Sequence, residues 1–238
     1  MASQTNTRTL FFSALALVLI AAVAWFFLFA NQSPEPVAGV GQTNGEALQE
    51  GVHYRTLKSP IANSETKTPD SKISVLEFFW YGCPHCQSFE PRVRDWLKTA
   101  PDDVEFTQMP VAWNDATRLH AAIFYVAEKA ENTEALHDKL FESIIGLRRE
   151  RNLGNQLQKI ASEFSGHGVE ESTVQQKVAA PQVKADVEKA EKIMRQADVS
   201  STPTVVVDGR WAVLNNDVVG SMGTFAVVDS LIARARTE

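Results

Sequence analysis

The first thirty residues differ in hydropathy from the rest of the chain. The run from Leu10 to Ala30 holds twenty-one residues without a charge. At a helical rise of about 1.5 Å per residue it would extend roughly 30 Å, the thickness of a bilayer's hydrocarbon core. A cleaved signal peptide is the alternative, but its apolar stretch is normally about 7 to 15 residues and ends in small residues. This run is longer and ends in bulky aromatic residues, so the pattern predicts an uncleaved membrane anchor over 1–30.

Charges on the two sides of this run predict its orientation. Arg8 precedes it, whereas 31–54 contain no Lys or Arg. Because positive charge is retained on the cytoplasmic side, the C-terminal part is expected outside the cytoplasm. Residues 31–50 are poor in large apolar side chains and contain several Pro and Gly, a composition typical of a flexible linker.

After the linker, strand and helix patterns alternate. Runs of β-branched and aromatic residues predict strands, and apolar residues at three- and four-residue spacing predict helices. The predicted strands are 53–57, 72–80, 103–109, 204–207 and 210–214, the last two joined by a tight Asp-Gly turn. The predicted helices are one that begins at Pro84 and others at 117–130, 133–145, 152–164, 170–179, 181–197 and 222–235, the last capped by Ser221, while 60–71 is predicted to be a polar loop.

The order of these elements indicates a fold class. Strands and helices follow one another as in a thioredoxin fold, provided that the long helical stretch in the middle is treated as an insertion. The predicted class is therefore α/β, a thioredoxin fold with an inserted all-helical domain, preceded by one N-terminal transmembrane helix. The thioredoxin-like domain is expected to comprise 51–114 and 181–238, and the helical insertion 115–180.

Composition and cysteine content narrow the possible chemistry. The formal net charge is −6, which argues against a nucleic-acid partner. The chain holds two cysteines, Cys83 and Cys86. A disulfide that closes so small a loop constrains the unfolded chain little, so this pair is better explained by reactivity than by stability.

The position of the cysteine pair predicts different roles for the two thiols. Cys83 follows a predicted buried strand and opens a helix, where unpaired backbone N–H groups favour a thiolate. It is the predicted nucleophile, and Cys86, one helical turn later, is the predicted resolving thiol. Pro84 suits the first helical turn. His85 is expected to add to the stabilisation of the Cys83 thiolate.

Other uses of two nearby cysteines fit less well. A zinc site needs four ligands, and the histidines outside this motif are scattered without ligand spacing. Covalent haem attachment needs a histidine directly after the second cysteine, where the chain has Gln87. An inert pair of buried thiols remains a third possibility. The prediction is redox chemistry with no metal and no cofactor beyond the Cys83–Cys86 disulfide.

A second motif supports redox chemistry. Thr202 and Pro203 stand just before the apolar strand 204–207, and a proline where a loop enters a sheet is often cis. On a thioredoxin-like fold this loop faces the cysteine pair, and the residue before the proline offers backbone groups to an extended peptide. The alternative is an ordinary trans proline that starts a strand.

The segment from Glu77 to Cys86 (EFFWYGCPHC), together with Thr202 and Pro203, resembles the DsbA family of periplasmic dithiol oxidases. The resemblance covers about 51–238, and the anchor departs from soluble members. It implies oxidation of reduced, unfolded secreted proteins, a quinone-linked membrane partner of the DsbB type, and location in the bacterial inner membrane with the catalytic domain in the periplasm. A cleaved, soluble periplasmic form is the alternative.

The resemblance also assigns tuning residues. Glu77 matches an acidic residue beneath the family's active site that could tune the cysteines or relay protons; a salt-bridge partner or strand-edge carboxylate is the plainer interpretation. The basic residue often found near it is replaced by Gln108. Thr202 stands where the best-known member has Val, and its hydroxyl is expected to moderate oxidising power.

Two other functions remain open. One is a membrane-anchored thioredoxin-like reductase, against which the helical block and the Pro-His dipeptide argue. The other is a peptide-binding chaperone whose thiols are incidental. A measured reduction potential would distinguish the reductase from an oxidase. A chaperone would keep its activity after both cysteines are replaced, whereas an oxidase would not.

Overall fold

The structure, a computed structural model, describes residues 48–66 and 68–238. Among these residues, strands form one mixed five-stranded sheet in the order β1-β5-β4-β2-β3. Its strands are β1 Tyr54–Thr56, β2 Ile73–Phe79, β3 Val104–Pro110, β4 Thr204–Val207 and β5 Trp211–Val213. β2 is parallel to β3 and antiparallel to β4. A parallel pair needs a crossover connection, which the helix that follows the cysteine motif supplies.

The helices begin and end close to the predicted positions. They are α1 Asn63–Thr66, α2 Pro84–Leu97, α3 Asp115–Ala127, α4 Thr133–Gly146, α5 Leu153–Ala161, α6 Glu171–Val178, α7 Pro181–Gln196, α8 Asp217–Met222 and α9 Thr224–Ala235, with a 3₁₀ turn at Ser162–Phe164. Helices α3 to α6 lie in the chain between β3 and α7. Their apolar side chains, which include Leu136, Phe141 and Phe164, pack in one cluster with Phe79 of β2 and with Cys86.

Two sequence predictions about local elements are wrong. The segment 60–71 contains α1, whose four residues are too short to show an apolar period. The predicted cap Ser221 lies inside α8, because the Asn216 side chain accepts from the Val219 backbone N–H and starts a helix earlier. Gly223, with φ of 90°, separates α8 from α9. Such a positive φ is readily adopted only by glycine.

Both faces of the sheet are covered, which explains why β2 is apolar almost throughout. On one face Val75, Val205 and Val207 pack with side chains of α2 and α9. On the other face Leu76 and Val206 pack with side chains of α7. Glu77, the carboxylate on β2, is therefore buried away from solvent.

The predicted anchor, 1–30, and the linker up to residue 47 lie outside the described residues. In the part of the chain that is described, no helix is both long enough and apolar enough to cross a bilayer.

Candidate active site

The cysteine pair lies at the start of α2. Cys83 is the N-cap residue, with extended backbone angles (φ −100°, ψ 111°), and Pro84 occupies the first helical turn. The Cys86 backbone N–H donates to Cys83 Sγ at 3.4 Å. Both cysteines are free thiols, so the described state is the reduced one. A sulfur at this position takes the place of an oxygen-bearing cap residue and meets the positive end of the helix dipole.

The pKa values of the two thiols are shifted in opposite directions. The pKa of Cys83 is lowered to about 5, first by the hydrogen bond from the Cys86 thiol, and then by the Thr202 side chain and the backbone N–H groups of Cys86 and His85, while burial opposes the shift. The pKa of Cys86 is raised above its usual range because its thiol is held by Cys83 and is buried. Cys83 keeps 7 % of its surface exposed and Cys86 none, so Cys83 is the sulfur that a substrate reaches.

The proline loop lies against Cys83, as the sequence predicts. The Thr202–Pro203 peptide bond is cis. Cys83 Sγ lies 3.4 Å from the Thr202 carbonyl oxygen, to which it donates when it is protonated. Pro203 and His85 line a groove of about 240 Å³ on the same side of the molecule. The imidazole of His85 is exposed, and the group of His85 that lowers the Cys83 pKa is its backbone N–H.

Glu77 belongs to a buried polar network below the cysteines. The β2–β3 register places it opposite Gln108, whose Nε2 donates to Glu77 Oε2 at 3.0 Å and to Glu90 Oε1 at 2.8 Å. The other Glu77 oxygen, Oε1, is buried with no hydrogen-bond partner among the described residues. The pKa of Glu77 is raised to about 8, first by burial, then by Glu90 and also by Cys83, against the lowering effect of Gln108.

Helix α4 of the helical domain completes this network. His137 Nε2 lies 3.4 Å from Glu90 Oε1, and its Nδ1 shares a hydrogen bond with the Tyr81 hydroxyl at 2.8 Å. Neither Glu90 nor His137 is predicted from the sequence to belong to the site. Glu90 carries one usable signal, because it lies one helical turn after Cys86 and so faces the same side. No local pattern could have identified His137, which is distant in the chain.

The structure thus brings together Cys83, Cys86, Pro84 and the Thr202–Pro203 loop, with His85 at the rim and Glu77 in the layer beneath. Among the described residues, no group of three or more His, Cys, Asp or Glu side chains is arranged to hold a metal ion. The arrangement provides one accessible, acidic thiol, one buried, weakly acidic thiol, and a peptide loop beside them, which suits thiol-disulfide exchange.

Comparison with known proteins gives the same result. A protein-family model described as Thioredoxin matches residues 68–218. Thiol:disulfide interchange protein DsbA of Pseudomonas aeruginosa is 30% identical over 186 residues, covering 78% of this chain and 85% of the relative. The Bordetella pertussis protein of the same name is 33% identical over 192 residues, covering 79% and 87%.

Solved structures agree on the fold. The crystal structure of Pseudomonas aeruginosa DsbA superposes with a TM-score of 0.65 at 29% identity, covering 80% of this chain and 95% of that one. NmDsbA1 of Neisseria meningitidis has a TM-score of 0.65 at 25% identity, with the same coverage. The predicted thioredoxin-like α/β fold with added helices is confirmed. The chain therefore belongs to the DsbA family and is a thiol-disulfide oxidoreductase, an enzyme that introduces disulfide bonds into periplasmic proteins.

Proposed function

We propose that Cys83 is the sulfur that exchanges with clients, which are reduced, unfolded secreted proteins. A client thiolate attacks Cys83 Sγ of the oxidised pair, a mixed disulfide forms there, and Cys86 leaves and takes up a proton. A second client thiolate then attacks the client sulfur of the mixed disulfide, and Cys83 leaves as a thiolate. The client loses two electrons and gains a disulfide, and the enzyme is left as the dithiol.

The acidity of Cys83 is the observation that carries this proposal. A pKa of about 5 means that the reduced enzyme holds a stable thiolate at neutral pH, whereas a free thiol has a pKa near 8.5. Stabilising the reduced form makes the disulfide a stronger oxidant. The raised pKa of Cys86 supports its role as the buried leaving thiol, because that sulfur is protonated once released.

A reduction potential tests the direction of the reaction. Equilibration with glutathione should give a value well above the roughly −270 mV of thioredoxin. A value near or below that of thioredoxin would instead support the membrane-anchored reductase.

Substitution of the cysteines tests the mechanism. Cys83→Ser should abolish oxidation of a reduced client peptide, because Ser cannot form the mixed disulfide. Cys86→Ser should also abolish oxidation, because a lone Cys83 has no disulfide to transfer. Offered a peptide whose cysteine carries glutathione as a mixed disulfide, this variant should displace glutathione thiolate and form a stable Cys83–peptide disulfide that can be isolated. If Cys83→Ser kept full oxidase activity, the mechanism would be wrong. If the double Ser variant suppressed client aggregation as well as the native protein, the chaperone function would be favoured.

The other site residues act around this exchange. The cis Thr202–Pro203 loop receives the client backbone, a role that the 3.4 Å contact between Cys83 and Thr202 supports. Glu77 tunes the cysteines from the layer beneath them, a role supported by the contribution of Cys83 to the raised pKa of Glu77. Pro84 and His85 form the first helical turn directly after the nucleophile.

We further propose that the dithiol is reoxidised by a quinone-linked membrane oxidase of the DsbB type, and that the chain is held in the inner membrane by residues 1–30 with its catalytic domain in the periplasm. The uncharged run from Leu10 to Ala30 supports the anchor. Fractionation of cells that express the full chain tests it: the anchor predicts recovery in membranes and digestion by protease added to spheroplasts. Recovery in the osmotic-shock fluid would show the cleaved form.

A further inference from the structure

Three arginines near the catalytic face have no partner of opposite charge among the described residues. Arg148, Arg149 and Arg151 follow α4 and precede α5, and all three side chains are exposed. None of them takes part in an ion pair or side-chain hydrogen bond in the described part of the chain. In a protein of net charge −6, three such cations within four positions form a local patch of opposite sign.

A buried hydrogen-bond chain fixes the loop that carries these arginines. Trp80 Nε1 donates to His120 Nδ1 at 2.8 Å. His120 Nε2 therefore carries the ring proton and donates to Gln156 Oε1 at 2.8 Å. Gln156 Nε2 in turn donates to the carbonyl oxygen of Glu150 at 2.5 Å. Since each donor has an acceptor, the loop is tied to Trp80 and held in place.

Trp80 also connects the loop to the active site. A Cβ added to Gly82, the residue before Cys83, would lie 2.2 Å from the Trp80 ring. The indole therefore lies directly on the backbone that leads into the nucleophile. A groove of about 820 Å³ extends from Trp80, past His120 and Thr117, to the three arginines.

Two carboxylates also line this groove and must be weighed against the arginines. Glu150 is already engaged, since it accepts from the Asn152 backbone N–H at 2.9 Å and lies 3.8 Å from Lys159 Nζ. Asp115, in the first turn of α3, carries the other negative charge. Three arginines against these two acids, one of which has its own lysine, leave the groove with a net positive charge.

We propose that this groove binds an acidic segment of the client protein beside the cysteine that reacts with Cys83. The inference rests on the proposed function, because a client sulfur joined to Cys83 places the neighbouring client residues on the adjoining surface. One flank of the client meets the groove lined by Pro203 and His85, and the other passes Trp80 toward the arginines. Asp and Glu side chains on that flank would pair with guanidinium groups, which recognise carboxylates well.

The test uses the full-length oxidised protein and six reduced peptides, which carry acidic, amide or lysine side chains either before or after the cysteine and are otherwise identical. The acidic peptide on one of the two flanks should react about tenfold faster than the amide peptide at low ionic strength. In 1 M salt, which screens exposed charges beyond roughly 3 Å, the preference should fall to about twofold.

Two triple variants separate the groove from overall charge. Arg148→Ser, Arg149→Ser and Arg151→Ser together should remove the acidic preference and leave the rate with the amide peptide within about twofold. The matched control changes Lys139, Lys177 and Lys184 to Ser, three exposed cations that line none of the described grooves. It should keep the preference.

The outcomes are distinct. Equal rates for acidic and amide peptides on both flanks would overturn the docking proposal while leaving the proposed function standing. Equal loss of preference in the two triple variants would also overturn it, since the effect would then follow net charge. A protein that oxidised none of the peptides would overturn both proposals.

Discussion

Replacement of Glu77 by Gln should change the pH dependence of stability in a calculable way. The carboxyl is fully buried, with a pKa of about 8 in the folded protein against 4.5 for an ordinary glutamate. Protonation is thus favoured by folding. The raised pKa therefore lowers the free energy of unfolding as pH rises. This destabilisation is absent below pH 4.5, grows because the unfolded chain releases its proton, and is complete above pH 8.

Linkage gives the size of the effect. At pH 5 the raised pKa costs about 1 kcal/mol, and at pH 7 about 3 kcal/mol. Gln cannot ionise, and its carbonyl can still accept from Gln108. Its amide group would take the place of Oε1 and would find no acceptor there, which should destabilise the variant by roughly 1 kcal/mol at every pH. The free energy of unfolding of Glu77→Gln, relative to the native protein, should therefore rise by about 2.5 kcal/mol from pH 5 to pH 7.

Urea unfolding at pH 5, 6 and 7 measures this difference, with a phosphine keeping the cysteines reduced. Glu65→Gln is the control, because the hydrogen bond from Lys192 holds the pKa of Glu65 below its usual value. Its stabilising effect is already present above pH 4.5 and is lost only below that pH, so the relative stability of Glu65→Gln should stay nearly constant from pH 5 to pH 7. A Glu77→Gln difference that stayed constant from pH 5 to pH 7 would refute the account of Glu77 as a buried, protonated acid.

Three further predictions concern the active-site loop. Alkylation of Cys83 in the reduced protein should reach half its maximal rate near pH 5 and be flat from pH 6.5 to 8, whereas Cys86 should resist alkylation; a tenfold rise per pH unit at Cys83 would contradict its lowered pKa. Thr202→Val should move the alkylation midpoint to higher pH and lower the reduction potential. The Thr202 side chain lowers the pKa of Cys83 and so strengthens the oxidant, contrary to the moderating effect expected from the sequence. An unchanged midpoint and potential would rule out a tuning role. Gly82→Ala should displace the Trp80 ring, which a Cβ would meet at 2.2 Å, and so lower the thermal midpoint by several degrees; unchanged melting and indole fluorescence would show that the ring does not lie there.

Local information in the chain was sufficient for much of the fold. β2 and β4 are runs of apolar residues, and the Asp-Gly turn between β4 and β5 has a known geometry, so periodicity and turn chemistry identify them. Short elements escape this approach. α1 has too few residues to show a period, and α8 starts from a single Asn216 cap that resembles any polar loop residue.

The reactive pair was also readable from residue order alone, because Cys83 and Cys86 are neighbours on one helical turn and their roles follow from helix polarity. The surroundings of that pair were not. Gln108 meets Glu77 through the pairing of β2 with β3, and His137 reaches Glu90 through packing of α4. Contacts between residues so far apart depend on strand register and helix placement. Burial of Glu77, the buried network, and the arginine groove therefore emerge only when the chain is folded.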